Sequence, residues 1–170
     1  VDVEQFFREV DELAASNVSL EGRLFVSDLA HLVLPYHKIQ DGASELSMGD
    51  KKIGTTKRGI GPAYADKAAR NGIRVGDLRD WDGFVGKLRA GYEHKKTVVE
   101  KLLGGSLNVD ADEVIEQYRG YRERLLPMIS NTAHYLYEAH RENKRLLFEG
   151  AQGTFLDIDH GTYPFVTSSN

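Results

Sequence analysis

Apolar residues recur at helical spacing from Asp2 to about Ala15, where Val3, Phe6, Phe7, Val10 and Leu13 share one face of a 3.6-residue period. Acids in the first turn complement the helix dipole, so the segment predicts an amphipathic helix. Arg23 to Val26 is a short apolar run that predicts a buried strand. Ser27 or Asp28 then supplies a cap for a helix through Leu29, Leu32 and Leu34, which Pro35 is expected to kink or end. Strand followed by helix opens an α/β pattern. Two longer stretches, Asp80 to Leu103 and Asp110 to about Asn143, are rich in Leu, Val, Tyr, Lys and Glu near the helical period and are separated at Gly104-Gly105. They predict long helices and a helical subdomain, the second helix breaking near Leu126 ahead of Pro127. Arg145 to Phe148 predicts another short strand, leading into Glu149-Gly150-Ala151-Gln152-Gly153. In open α/β sheets, ligands gather where strands end in such loops.

Composition narrows the class. The 170 residues are 41% hydrophobic and 28% charged, which suffices for one ordinary globular core. No apolar run approaches the roughly 18 residues that span a bilayer, and the start lacks the basic-then-apolar order of a secretion signal. A soluble, cytoplasmic protein without membrane partners is the expectation. The lack of cysteine removes disulfides and thiolate metal sites and accords with a reducing compartment; the sequon Asn17-Val18-Ser19 is read as chance. The beginning at Val1 and the end at Thr167-Ser168-Ser169-Asn170 read as those of an excerpt from a longer protein. A net charge of −4 disfavours a nucleic-acid surface, which needs many cations against phosphates. Locally the balance reverses. Between Lys51 and Arg74 stand seven basic residues (Lys51, Lys52, Lys57, Arg58, Lys67, Arg70, Arg74) against one acid, Asp66, so this stretch suits a small anion.

Two loops carry candidate chemistry. In Gly54-Thr55-Thr56-Lys57-Arg58-Gly59-Ile60-Gly61-Pro62-Ala63-Tyr64, glycines let the backbone turn its N–H groups toward a ligand and Thr hydroxyls donate to phosphate oxygens. Pro62 is expected at the first helical position, where no amide is wasted. In the helix that follows, Lys67 and Arg70 are expected on one face, with Arg74 just past a stop at Gly72; a guanidinium there suits a phosphate. Gly54 and Gly59 have the spacing of a P-loop's outer glycines, but Ile60-Gly61 stands where Lys and Ser or Thr are required. Taken alone, the loop is more simply a glycine turn before a helix with solvated basic residues. The second loop continues Glu149-Gly150-Ala151-Gln152-Gly153-Thr154 into Leu156-Asp157-Ile158-Asp159-His160-Gly161-Thr162-Tyr163-Pro164-Phe165-Val166-Thr167. Gln152 offers donor and acceptor to a base edge or ribose, and Thr167 offers a hydroxyl. Asp157, Asp159 and His160 invite a metal reading, but the further ligands of an EF-hand are missing, and a turn built by Asp and Gly with His160 bonded to backbone is preferred. His31, His37, His94, His134 and His140 form no His-Glu-x-x-His pair and are assigned core or surface roles. Trp81, between Asp80 and Asp82, reads as a helix-start anchor, and no Gly-x-Ser-x-Gly elbow supports serine hydrolase chemistry.

Together, residues Gly54 to Tyr64, Lys67, Arg70 and Asn71-Gly72-Ile73-Arg74-Val75-Gly76-Asp77-Leu78 resemble the second signature region of the adenylosuccinate synthetase family. Phe148-Glu149-Gly150-Ala151-Gln152-Gly153-Thr154 through Tyr163-Pro164, with Thr167-Ser168-Ser169-Asn170, resembles a second block of that family in the same order. The resemblance implies an α/β fold, the chain being a fragment of a P-loop-NTPase-like mixed sheet with a large, mainly helical subdomain. The division that follows is 1–79 as the α/β portion with the Gly-rich loop (51–64) and basic helix, 80–143 as the helical subdomain, and 144–170 as a strand and active-site loop returning to the core.

The family joins inosine monophosphate (IMP) to aspartate with GTP and Mg²⁺, through a 6-phosphoryl intermediate, giving adenylosuccinate, GDP and phosphate on the AMP branch of purine synthesis. By resemblance, Thr56 bonds the 5′-phosphate of IMP, Gln152 contacts the nucleotide near base and sugar, and Thr167 holds the phosphate from the other side. Arg70 reaches into the neighbouring subunit of a homodimer toward the same phosphate. Lys67, Arg74 and Arg58 support this basic face. The family's Gly-Asp-Glu-Gly-Lys-Gly-Lys loop, its catalytic Asp and His, and its aspartate- and guanine-binding region do not occur in this chain. No catalytic residue and no metal ligand is therefore assigned. The isolated 170 residues are expected not to turn over and not to fold readily alone. The competing reading is a non-catalytic nucleotide- or phosphate-binding module; a third, an interaction protein built on the two long helical stretches, would be indifferent to change at Thr56 or Gln152.

Overall fold

In the computed structural model, which describes residues 1–170, the chain alternates between two units. Val1–Leu32, Ile73–Leu88 and Ala111–Leu146 make the first; Val33–Gly72, Arg89–Asp110 and Leu147–Asn170 make the second. Six α-helices and one small parallel sheet result, a helix-rich α/β arrangement.

The first unit begins with helix α1 (Val3–Ala15), whose N-terminus is capped by the Asp2 carboxylate on the Gln5 N–H. Its apolar stripe buries Val3 and Phe7. Phe7 stacks on Tyr121 at 5.8 Å, in helix α5 (Ala111–Leu125), while the Arg124 guanidinium covers the same ring at 4.1 Å. Strand β1 (Val26–Ser27) pairs in parallel with β2 (Ile129–Ser130), Val26 against Ile129 and Ser27 against Ser130. The strand expected at Arg23–Val26 is thus displaced toward the C-terminus and shorter.

The helix expected through Leu29, Leu32 and Leu34 does not form. The backbone turns at Asp28–Leu29, the Ala30 N–H donating to Ser27 O (3.1 Å), and then runs extended: the Leu32 N–H donates to Ile73 O (2.8 Å), Val75 N–H to Ala30 O (2.8 Å) and Gly76 N–H to Asp28 O (2.9 Å). Leu32, Val33 and Leu34 are buried in succession, which suits an extended run rather than a one-sided helix. Leu34 also precedes proline, whose ring disfavours helical backbone at the residue before it. Pro35 consequently opens a helix rather than closing one. It takes the first position of α2 (Pro35–Ser47), where its fixed φ and missing N–H cost nothing.

Helix α4 (Trp81–Thr97) starts as the Asp80 carboxylate accepts from the Gly83 N–H (3.1 Å) and continues into a π-helical turn, Val98–Leu102. Trp81 anchors the start: its ring lies near Phe84 (5.3 Å) and under the guanidinium of Arg119 (4.9 Å). Phe84 and Leu88 are fully buried, each worth about 1.5–3 kcal/mol of transfer free energy. The long helix expected from Asp110 to Asn143 is broken at Pro127 as expected: α5 ends at Leu125, a short 3-10 turn spans Leu126–Met128, β2 follows, and α6 (Thr132–Arg141) starts anew with Asn131 capping it.

Arg145–Phe148 forms no strand. Its backbone meets no ladder partner, and Leu147 and Phe148 are 95% and 77% exposed. An apolar run becomes a strand only where a neighbouring strand takes up its N–H and C=O groups. No helix is long and apolar enough to cross a membrane.

Candidate functional site

Helix α2 arranges the second unit. His37, Asp41 and Glu45 follow one another at intervals of four, which places them on one helix face, and all three are buried. Each side chain is turned onto a neighbouring backbone or helix. His37 Nδ1 accepts from the Leu34 N–H (3.0 Å), so the ring proton sits on Nε2, directed at Asp66 Oδ2 (2.9 Å) in helix α3 (Ile60–Ala69). Asp66 Oδ1 accepts from the buried Lys95 ammonium at 2.5 Å. Burial lowers the pKa of His37 below its usual value, against the pull of Asp66. Burial pushes the Asp66 carboxyl up, but the hydrogen bonds from His37 and Lys95 outweigh it and hold the pKa below the usual range. Burial, reinforced by Asp66, raises that of the Tyr36 hydroxyl.

The other two carboxylates grip the loop ahead of α3. Glu45 Oε1 accepts from the Ile53 N–H (3.2 Å) and Oε2 from the Gly54 N–H (3.0 Å); Asp41 Oδ2 accepts from the Gly59 N–H (2.9 Å). Gly59 has φ +76° and lies so close to α2 that a Cβ there would stand 2.7 Å from Lys38 N. Only glycine meets both conditions.

Between these attachments the loop carries Thr55, Thr56, Lys57 and Arg58, all exposed. Thr55 and Thr56 line an open recess of about 250 Å³ together with Ile53, Gly54, Ile60 and Gly61 on one side and Val166, Thr167 and Ser168 on the other. The far wall is held by the second candidate loop. Thr167 N–H donates to Leu156 O (2.9 Å), Ile158 N–H to Ser169 O (3.2 Å), and the Gln152 amide to Ser169 O (3.1 Å). Four hydroxyl-bearing residues and the start of a helix therefore border one space, beside the apolar Ile53, Ile60, Leu156, Phe165 and Val166; hydroxyls and helix-start amides are groups that can donate to a phosphate.

Of the residues singled out in the sequence, Thr56 and Thr167 meet in this recess. Gln152 stands behind it, bonded to the segment that carries Thr167. Arg58 is exposed beside Lys57, whose φ is +55°. Lys67 lies over the Tyr64 ring at 5.4 Å. Arg70 does not share a helix face with Lys67: α3 ends at Ala69 and Arg70 follows it in left-handed backbone, φ +66°, exposed. Asn71 and Gly72 N–H groups then cap Asp66 O, so the helix stops ahead of Gly72. Pro62 occupies the third helical position instead of the first, still within the turn whose amides lack helical acceptors. Arg74 belongs to the first unit, where its N–H donates to Asp77 Oδ2 (2.8 Å). Arg58, Lys67, Arg70 and Arg74 do not line the recess.

Asp157 Oδ1 accepts from the N–H groups of Asp159 (2.8 Å) and His160 (3.0 Å), and Asp159 Oδ2 from the Asn170 amide (2.6 Å). These bonds, the one from Asp159 foremost, lower the Asp157 pKa and close a turn. Asp41 and Glu45 were not singled out in the sequence. Their signal is the four-residue interval from His37 on a helix that the sequence reading did not place. Thr55 and Ser168 were visible only as parts of longer motifs.

Known proteins resemble this chain along its whole length. The sequence profile of one family, described as adenylosuccinate synthetase, matches residues 1–170. Adenylosuccinate synthetases from Picosynechococcus sp. and Nostoc punctiforme are each 49% identical over the 170 residues. That from Acetivibrio thermocellus is 46% identical. The chain spans 38–40% of the length of these relatives. A fully ligated adenylosuccinate synthetase from Plasmodium falciparum superposes with a TM-score of 0.88 at 33% identity, over 99% of this chain and 38% of that one.

Proposed function

This chain belongs to the adenylosuccinate synthetase family, and from that premise we propose that it forms the part of a GTP-dependent carbon–nitrogen ligase that holds IMP. The ligase condenses IMP with L-aspartate to give adenylosuccinate, GDP and phosphate, in the cytoplasm and as a homodimer. The recess shared by Thr56 and Thr167 carries this reading. Hydroxyls from two separate loops converge there, so a phosphate would receive donors from both sides. Thr55 and Ser168 add donors of the same kind. Gln152, tied to Ser169, is set to meet the nucleoside beyond the phosphate.

The chemical logic is positioning. The 5′-phosphate lies at one end of IMP and the purine, where the bond to aspartate forms, at the other. Binding energy taken from the non-reacting end can orient the reacting end and lower the barrier. Arg70, exposed at the end of α3, supplies a guanidinium to the phosphate of the neighbouring subunit's IMP, with Lys67, Arg74 and Arg58 as a supporting basic face.

Mg²⁺ does not fit the donor set present here. No group of three or more His, Asp or Glu residues converges, and the one carboxylate in the recess, Asp41, is bonded to the Gly59 N–H.

The test uses the full-length ligase that carries this segment. Turnover requiring IMP, aspartate, GTP and Mg²⁺ together is expected. Thr56→Ala is expected to weaken IMP binding about tenfold or more, the loss of one hydrogen bond to a charged group. Arg70→Ala is expected to lose activity and to regain part of it when mixed with a subunit defective at Thr56. Binding of IMP without turnover would favour the non-catalytic module; unaltered IMP binding by Thr56→Ala would refute the phosphate site.

A further inference from the structure

The phosphate-facing loop runs over seven residues, Ile53 to Gly59, and is attached at both ends, to carboxylates one helical turn apart on α2. The loop has little else to define it. Gly54, Lys57 and Gly59 all have left-handed backbone (φ +84°, +55° and +76°), a conformation with strong local preference only at glycine. Thr55, Thr56, Lys57 and Arg58 are exposed, so no packing fixes them. Three N–H groups bonded to two buried carboxylates remain as the restraint, and hydrogen bonds to ionised acceptors are the stronger kind.

Asp41 presents a paradox that the geometry resolves. It lines the recess, where a free carboxylate would repel a phosphate. It is nonetheless buried, with Oδ2 bonded to the Gly59 N–H at 2.9 Å. One of its two oxygens is thus directed at the backbone. Glu45 lies outside the recess lining and uses both oxygens on successive N–H groups, a geometry that needs two acceptors at the reach of a glutamate.

We propose that Glu45 and Asp41 are positioning residues that clamp the two ends of the 53–59 loop, setting Thr55 and Thr56 in register for the phosphate of IMP. The proposal rests on the reading of the recess as the phosphate site. Glutamine at position 45 keeps the size but offers one acceptor and adds donors facing an N–H, so one end of the loop is released. Apparent affinity falls in proportion to the fraction of loops still in register. Because saturating IMP draws the remaining loops back into register and leaves the phosphate contacts themselves intact, the change appears in binding and in KM with kcat preserved.

In the full-length ligase, Glu45→Gln is expected to raise the Kd for IMP about tenfold, as expected for loss of one charge-assisted bond. Its kcat at saturating IMP stays within about twofold. Binding of inosine, which lacks the phosphate, is unchanged. Glu45→Asp, shorter by one methylene, gives the same signature and serves if the glutamine variant does not fold. Asp41→Ala weakens IMP binding, and Asp41→Asn, which retains an oxygen for the Gly59 N–H, restores it. Thr56→Ala is measured in parallel. If Thr56→Ala weakens IMP binding and neither Glu45 variant does, the clamp is refuted while the site stands. Equal weakening for inosine and IMP, or a fall in kcat with KM unchanged, also refutes it. If Thr56→Ala has no effect, the phosphate site itself is wrong and the clamp falls with it.

Discussion

Replacing Asp66 by asparagine tests the buried network at the base of α2 and α3 most directly. Asp66 accepts from His37 Nε2 at 2.9 Å and from Lys95 Nζ at 2.5 Å, and Lys95 is only 3% exposed. Asparagine keeps one acceptor but removes the countercharge, leaving the Lys95 ammonium buried without compensation. Breaking one side of a buried pair in this way costs about 3–5 kcal/mol, because the remaining charge keeps its desolvation penalty. Lys95→Met removes the ammonium and preserves an unbranched side chain, leaving Asp66 with His37 alone. The double variant D66N/K95M carries neither charge, and the asparagine can still accept from His37. Its cost should fall to within about 1 kcal/mol of the parent. Hydrogen exchange of the α3 amides in the full-length protein reads the opening free energy locally and does not require the whole molecule to unfold in one step. The expected pattern is strong loss of protection in D66N and recovery in the double variant. Less than about 1 kcal/mol lost in D66N, or a double variant as costly as the sum of the singles, would refute the coupled-pair reasoning.

The same network gives a pH dependence. Burial depresses the His37 pKa in the folded state, so the unfolded chain takes up that proton first as pH falls. Its contribution is fully present above the ordinary histidine value near 6.5, declines as pH falls through it toward the lower folded value, and is followed by urea midpoints from pH 8 to 5. The Asp66 contribution has its folded pKa below the carboxylate range and is lost only in stronger acid. Gly59→Ala combines left-handed backbone with a Cβ placed 2.7 Å from Lys38 N and 2.8 Å from His37 C. It should destabilise by about 2–4 kcal/mol and lower the melting temperature; an unchanged midpoint would mean that the loop does not press on α2 as described.

Much of the helical framework was legible because helical periodicity and its punctuation are local. Val3 and Phe7 with the acids around them mark α1, and Pro127 marks the end of α5 wherever the rest of the chain lies. The errors fall where non-local partners decide. Leu29, Leu32 and Leu34 have helical spacing, yet bonds from Leu32 to Ile73 and from Val75 to Ala30 hold the segment after the turn at Leu29 extended, and those partners are more than forty residues away. Arg145 to Phe148 have strand composition but no neighbouring strand. At the site, residue types that donate to phosphate marked Thr56 and Thr167, while their meeting in one recess depends on the return of the second loop.

The electrostatics of the site follow from where the acids face. The proposed phosphate site, beside three buried carboxylates, looks unfavourable by charge count alone. Glu45 gives both oxygens to the Ile53 and Gly54 N–H groups, Asp41 gives Oδ2 to that of Gly59, and Asp66 is matched by Lys95 and His37. What borders the recess, besides Asp41, is a set of hydroxyl-bearing residues among apolar ones (Ile53, Ile60, Leu156, Phe165 and Val166), and the cations Lys57, Arg58 and Lys67 stand on the exposed surface of the loop and α3. A phosphate approaching that surface meets long-range attraction from these cations, which salt screens. Inside the recess it meets short directional donors, which salt screens far less. Raising ionic strength should therefore slow association more than it speeds release. The reverse result would mean that the cations, not the hydroxyls, make the lasting contacts.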